Sequence, residues 1–350
     1  MRKIYILVGT RPNFIKITRF KEIGIQKNIE VKVIHTGQHF DNDMANVFFD
    51  QFDLRPDYFL NVGGLSQSSQ IANIIIKLEK LMNEIGNPDL FIVPGDVNST
   101  LAGAVVVNKL GIKLAHLESG LRSFDRSMPE EHNRVVTDNL ADICFVTEPS
   151  GIENLKSERI KAKIFNVGNT MIDTIVFFES QINSSNIIND LALIKNDFFL
   201  CTFHRPSNVD NRDCLLKLIE LIKNISKKGK VVFPLHPRTK INLMNFNLFK
   251  KLDSVSNLEL INPLGYFDFH KLIKNAKLVI TDSGGIQEET TFRKVPCLTI
   301  RNNTERPITI EQGTNTLLPF DLNAIQICIE EVLQGKYKKG VIPKYWDGKS

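Results

Sequence analysis

Three acidic segments stand at or just after short apolar runs in the first half of the chain. Asp96 follows Leu90–Pro94 through Gly95, Glu118 follows Lys113–Leu117, and Glu130-Glu131 comes a little further on. Carboxylates crowded in one pocket raise one another's pKa, so that near neutral pH one gives a proton and another takes one. Each alone also fits a helix N-cap or an ordinary structural acid. Together they point to proton transfer. In the second half, His204-Arg205 and His236-Pro237-Arg238 close two further apolar runs, Phe198–Phe203 and Lys230–Leu235. A lone His is more often structural, but two at successive run ends, each with an Arg, point to a shared site. Lys277–Ile280 leads into Thr281-Asp282-Ser283-Gly284-Gly285. Ser-Gly-Gly at the mouth of a helix exposes backbone N–H groups that can close on a diphosphate, helped by the helix dipole. Glu289, about one and a half turns on, is within reach of a ribose hydroxyl. The turn Gly9-Thr10-Arg11-Pro12, with Lys16 beyond it, is either an anion site near a helix N-terminus or a plain turn with solvated charges.

The elements that must position these residues follow from the hydrophobic pattern. Continuous apolar strands alternate with helical spacing, which specifies a parallel sheet covered on both faces. A first series comprises Ile4–Val8, Val31–His35, Leu90–Pro94, Lys113–Leu117, Ile143–Thr147 and Lys163–Val167. A second comprises Phe198–Phe203, Lys230–Leu235, Leu258–Ile261, Lys277–Ile280 and Val295–Ile300. The polar stretch Ser180–Asn196 reads as the linker between them. The expected fold class is α/β, with two doubly wound Rossmann-like domains over residues 1–180 and 197–335. A C-terminal segment, residues 336–350, is expected to return toward the first domain. In such folds ligands bind beyond the carboxyl ends of the strands, where the candidate residues stand.

Composition narrows the function further. With 42% hydrophobic and 24% charged residues the chain is neither disordered nor fibrous. Its net charge of +5 is spread rather than clustered, which disfavours nucleic acid and suits a small polyanion. No apolar run approaches membrane-spanning length. Five dispersed cysteines without a CxxC pair suggest a reduced, cytoplasmic protein. Neither GxxxxGK[ST], nor GxGxxG after the first strand, nor HExxH occurs, so neither a conventionally held dinucleotide nor a metal is expected.

Taken in order, Gly9-Thr10-Arg11-Pro12, Gly95-Asp96, His116–Arg122, Pro129–Arg134, His204-Arg205, Thr281–Glu289 and Thr304-Glu305-Arg306-Pro307 form one pattern. It closely resembles the non-hydrolysing UDP-N-acetylglucosamine 2-epimerase family, over residue 1 to about Ser350. The resemblance implies the GT-B arrangement, with an interdomain cleft, and an elimination–addition reaction. Anti elimination of UDP removes the C2 proton, and UDP then adds back with protonation of the other face. No NAD or other cofactor is consumed. By the same resemblance Asp96, Glu118, Glu130 and His204 are catalytic, with the roles of acid and base open among the carboxylates. Arg11, Lys16, Ser283, Gly284, Gly285 and Arg306, with His236, are expected to hold UDP, and Glu289 its ribose. Thr36-Gly37-Gln38-His39 stands where the family forms part of an allosteric site, which makes Gln38 and His39 its candidates. A homodimer supplying surface polysaccharide synthesis is the family expectation. Two departures concern the sugar. Pro206-Ser207-Asn208 lacks the Glu usual before Asn, and the stretch from Arg122 to Pro129 is short, similar to the branch acting on sugars such as UDP-2,3-diacetamido glucuronic acid. A hydrolysing 2-epimerase, a GT-B glycosyltransferase and a non-catalytic binder of sugar nucleotides are the alternatives.

Overall fold

The apolar runs form parallel strands because each has both faces to bury. A computed structural model describes residues 1–37, 49 and 51–350, and Gln38 and His39 lie outside them. The chain divides into two compact units, Met1–Phe177 with Lys344–Ser350, and Phe178–Pro343.

In the first unit the strands are β1 (Arg2–Val8), β2 (Ile29–His35), β3 (Tyr58–Phe59), β4 (Leu90–Pro94), β5 (Leu114–Leu117), β6 (Ile143–Val146) and β7 (Lys163–Asn166). They pair in the order β3-β2-β1-β4-β5-β6-β7, and every pairing is parallel. The helices are α1 (Arg11–Ile15), α2 (Phe20–Gln26), α3 (Gln67–Ile85), α4 (Asn98–Lys109), α5 (Pro129–Leu140), α6 (Pro149–Ser157) and α7 (Thr170–Phe177). Helix α3 shows why they form. Ser66 caps its first turn through Ser69 N–H, and Gly86 ends it at a φ of 79°. Gln70, Ile74, Leu78 and Met82 recur at four-residue steps along its buried face. That stripe packs on Tyr5, Leu7, Phe91 and Val93 from one face of the sheet.

In the second unit β8 (Phe198–Thr202), β9 (Lys230–Pro234), β10 (Leu258–Ile261), β11 (Leu278–Thr281), β12 (Cys297–Ile300) and β13 (Asn315–Leu318) pair in the order β10-β9-β8-β11-β12-β13, again all parallel. Its helices are α8 (Glu179–Ser184), α9 (Ile187–Asp190), α10 (Pro206–Val209), α11 (Arg212–Ser226), α12 (Pro237–Asn245), α13 (Phe249–Asp253), α14 (Tyr266–Asn275), α15 (Gly284–Arg293), α16 (Ile308–Glu311) and α17 (Leu322–Leu333). Both sheets reverse their strand order, between β1 and β4 and between β8 and β11, and such switch points are where doubly wound folds open a crevice.

Register sets the site. Pro94 lies opposite Leu117, so Gly95 and Glu118 leave the first sheet side by side. Thr202 lies opposite Thr281, so His204 and Asp282 leave the second sheet close together.

Two strands escape the apolar pattern. β3 is only two residues long. β13 opens on Asn315, which is buried because its amide oxygen accepts from Thr299 Oγ1 at 2.6 Å. The stretch Ser180–Asn196 is not an open linker. It carries α9 and most of α8, and Ile182 and Ile188 are buried within the second unit. Glu179 ties α8 down through Lys274 at 2.6 Å and Arg293 at 2.5 Å, and these cations hold its carboxyl at about 2 although burial opposes them. Within the first unit, Trp346 is buried and its indole N–H donates to Thr147 O at 3.0 Å. Cys144, Cys201 and Cys297 are free and buried, and burial pushes their thiols up, Cys144 to about 12 and Cys297 to about 11. Among the described residues no helix is long and apolar enough to cross a membrane.

Candidate active site

In the first unit the candidate residues converge on the ends of β1, β4 and β5. After β1, the Asn13 amide oxygen accepts from Gly9 N–H, Thr10 N–H and Thr10 Oγ1 at 3.1–3.2 Å, and its NH2 donates to Pro94 O at 3.1 Å. One side chain thus ties the β1 turn to the end of β4. Arg11 opens α1, and Lys16 stands at its C-cap rather than near its N-terminus, because the helix is only five residues long. Lys16 is buried, and its ammonium pairs with the Glu118 carboxylate. Glu118 follows β5 with a φ of 70°, a left-handed conformation that a side chain adopts only where its surroundings enforce it. Here its N–H and that of Ser119 both donate to Phe145 O at 3.0 Å. Gly95 is also left-handed, with a φ of 69°. A Cβ there would sit 3.0 Å from Lys16 Nζ, which explains the glycine.

Asp96 accepts from Arg134 Nε at 3.0 Å and Nη2 at 2.7 Å, and Arg134 Nη1 reaches Glu131 at 2.6 Å. Each strand-end carboxylate therefore has a cation of its own, rather than acting on the other alone. Helix α5 carries the rest. Glu130 is half-buried in its first turn, whereas Glu131 is buried and accepts from Ser123 N, Ser123 Oγ and Phe124 N at 2.8–3.0 Å. Glu131 thus fixes the loop that follows Arg122 and leaves Glu130 the only one of the pair open toward solvent.

In the second unit the organising group is Asp282, fully buried after β11. Its carboxylate accepts from His204 N at 3.1 Å, Arg205 N at 2.9 Å and Asn208 Nδ2 at 3.1 Å, and His204 Nδ1 lies 3.1 Å away. Burial opposes its charge, but His204, the Arg205 N–H and Asn208 outweigh it and hold the carboxyl below the usual carboxylate range. His204 is thereby fixed in backbone and ring. His236 stands two residues after β9 and caps α12, its Nδ1 accepting from Arg238 N–H at 3.2 Å. Its ring lies 5.2 Å from that of His204. Burial, then the neighbouring His204, push it down to about 4.

A pH titration of the His236 ring protons by NMR is therefore expected to show it neutral down to about pH 4. With a folded value below the ordinary 6.5, the unfolded chain binds the proton more readily between the two values. Its contribution to stability is complete above about 6.5 and is lost as pH falls toward 4. A midpoint near 6.5 in the folded protein contradicts this.

Helix α15 opens at Gly284, and the Ser283 side chain gives its first turn no cap. The Ser283 side chain thus does not compete with an anion for the leading N–H groups of the helix. A Cβ on Gly284 would meet Glu305 Oε1 at 3.0 Å and Arg306 Nη1 at 3.1 Å, with Arg301 Nη1 at 3.7 Å, so two guanidinium groups crowd this turn. Arg306 is held by Glu305 and, at 2.9 Å, by Glu288; Arg301 is held by Glu305 at 3.0 Å. Burial lowers the Arg301 pKa, Arg205 and Arg306 lower it further, and Glu305 only partly offsets them. Glu289 is buried further along the helix, Oε1 lying 3.4 Å from His270 Nε2, while Oε2 has no hydrogen-bond partner among the described residues.

Strand-end reading singled out Asp96, Glu118, the pair Glu130-Glu131, His204, His236, Ser283, Gly284, Gly285 and Glu289, and the family resemblance chose Glu130 and added Arg11, Lys16 and Arg306, but neither showed which residues hold the others in place. Asn13, Arg134, Glu131 and Asp282 are the supports. Arg134 and Glu131 carried a signal, since with Asp138 they fall three and four residues apart on one buried helix face. Asp282 stands at a strand end like Asp96, but nothing in the sequence marks it as a support, because its donors are largely backbone N–H groups.

Fold and site together define an α/β enzyme built from two Rossmann-like units. The model of the UDP-N-acetylglucosamine 2-epimerase family matches residues 21–350. A UDP-N-acetylglucosamine 2-epimerase from Methanocaldococcus jannaschii is 42% identical over 95% of this chain and 93% of its own. The crystal structure of the enzyme from that organism, in complex with UDP-GlcNAc and UDP, superposes with a TM-score of 0.90 at 40% identity, covering 99% of this chain and 97% of the other. A UDP-2,3-diacetamido-2,3-dideoxy-D-glucuronate 2-epimerase from Pseudomonas aeruginosa is 38% identical over 90% of this chain and 88% of its own. The chain belongs to the UDP-N-acetylglucosamine 2-epimerase family.

Proposed function

We propose that the protein interconverts a UDP-N-acetylhexosamine and its C2 epimer without hydrolysis, by elimination and re-addition of UDP. A carboxylate takes the C2 proton while the C1–O bond breaks, its electron pair leaving on UDP. The former C–H pair becomes the C1=C2 bond of a 2-acetamidoglucal. UDP oxygen then adds to C1, and a proton is delivered to the opposite face of C2. Asp96, Glu118 and Glu130 handle these protons, with His204 beside the reacting centre. Arg11, Lys16, Ser283, Gly284, Gly285, Arg306 and His236 hold UDP, and Glu289 its ribose. The observation that carries this reading is the exit of Asp96 and Glu118 from adjacent strands, each with its own cation. Preorganised charge of this kind is what a proton transfer coupled to departure of an anion requires. On this reading the protein works in the cytoplasm as a homodimer.

Two sugars are in view. The short loop from Arg122 to Pro129 and the Pseudomonas relative favour a diacetamido uronic acid as the second. Incubation with UDP-GlcNAc or with UDP-2,3-diacetamido-2,3-dideoxyglucuronate in D2O, followed by NMR, is expected to give deuterium at C2 with the UDP-sugar intact. Release of free N-acetylmannosamine and UDP indicates a hydrolase instead. Absence of exchange with both sugars, alongside tight UDP binding, overturns the epimerase reading.

A further inference from the structure

We propose that His116 is a positioning residue for this reaction, holding the Gly95-Asp96 peptide in place beside Glu118; the inference rests on the function proposed above. His116 is fully buried in β5, and its two ring nitrogens reach different elements. Nε2 lies 2.8 Å from Gly95 O, and Nδ1 lies 2.6 Å from Asp138 Oδ1 in α5. A carbonyl oxygen only accepts, so Nε2 carries a hydrogen and donates it. The carbonyl it grips belongs to the peptide that carries the Asp96 N–H, and its direction sets where Asp96 points. Gly95 needs such a grip, because a left-handed glycine has no side chain to fix its own backbone.

Behind the imidazole stands a chain of charges. Asp138 also accepts from Arg122 Nη1 at 2.7 Å and from Gly120 N at 3.1 Å, the latter two residues past Glu118. Burial works against its charge, but His116 and Arg122 hold it below the usual carboxylate range. Arg122 in turn is forked onto Glu158, Nε to Oε1 at 2.8 Å and Nη2 to Oε2 at 2.6 Å. A buried ionic chain is poor value for stability alone, since well-packed apolar side chains commonly do as well. What it supplies is direction. Through His116 and Gly120 it fixes the backbone on both sides of the strand pair from which Asp96 and Glu118 leave.

Two amides separate this role from mere packing. Gln at position 116 places its NH2 near the Nε2 position and can still donate to Gly95 O, whereas Asn places its NH2 near Nδ1 and cannot. His116→Gln is expected to keep kcat within about three-fold, and His116→Asn to lower it by about 30- to 100-fold, the size of effect that a misplacement of about 1 Å produces. KM and the Kd for UDP should stay at the wild-type values in both, with unchanged circular dichroism. If His116→Asn does not fold, His116→Met, of similar volume and without an N–H, replaces it in the comparison. A folded Asn or Met variant with wild-type kcat, or a folded Gln variant that falls as far as Asn, overturns the proposal. Wild-type protein that exchanges no C2 proton of either UDP-sugar removes the proposed reaction, and this inference with it.

Discussion

Glu118→Gln is expected to cut deuterium exchange at C2 by at least about a thousand-fold, the upper part of the range for loss of a positioned general acid or base. An amide cannot take the proton at any accessible pH, yet it keeps the shape of the side chain. The left-handed turn at Glu118 should therefore survive, since it is fixed by two N–H donations to Phe145 O rather than by the carboxylate. Lys16 then faces an amide oxygen, which keeps a hydrogen bond but not the ion pair. Some loss of stability follows, so exchange should be compared well below the melting temperature. Asp96→Asn should behave alike, with Arg134 still anchored by Glu131. The Kd for UDP is expected to move by no more than about three-fold in either variant, because a neutral isostere removes transition-state proton transfer and not uniform binding. Wild-type exchange in either one overturns the assignment of the carboxylates.

Asp282→Asn should produce the largest loss of stability, about 3–5 kcal/mol in urea unfolding, as expected when a buried hydrogen-bonded charge is removed. Asp282 is a pure acceptor surrounded by donors from His204, Arg205 and Asn208. An amide must present an NH2 to at least one of them, leaving two donors face to face. His204 loses its tether, so catalysis should fall even in protein that remains folded. The sign of the pH dependence follows from the direction of the shift. With the folded carboxyl below its ordinary value, its stabilisation is complete above the unfolded value of 3.8 and is lost as pH falls through the folded one. The Asn variant should accordingly lose the acid-limb slope that the wild type shows below about pH 4. A variant as stable as the wild type contradicts the role given to Asp282.

Strands were legible in this chain because parallel strands buried on both faces leave unbroken apolar runs. The exceptions have physical causes. β3 is too short to show a period, and β13 begins on a buried Asn whose hydrogen bonds stand in for hydrophobicity. Ser180–Asn196 reads as linker by composition, yet two buried isoleucines and the ion pairs of Glu179 give it helices. For the site, residue types at strand ends were enough to find the groups that the structure gathers at the ends of β4 and β5 and of β8 and β11. Supporting groups were harder. Asp282 binds mainly backbone, which has no side-chain identity to read, and the choice between Glu130 and Glu131 needs the helical phase of Arg134 and Asp138.

Helix α5 buries Glu131, Asn133, Arg134, Thr137 and Asp138, an entirely polar face. An apolar face grips non-directionally and tolerates a small rotation; one held by directed bonds has a single phase. Inserting one residue between Glu131 and Arg134 turns the remainder by about 100°, severing Arg134 from Asp96 and Asp138 from His116 together. The segment from Asp125 to Met128 lies between Phe124, which Glu131 holds, and the start of the helix, and can vary in length without disturbing the anchors on α5. Length variation among homologues should therefore collect before Pro129 and be missing after it, so that sugar preference can diverge while the proton-transfer geometry is inherited unchanged.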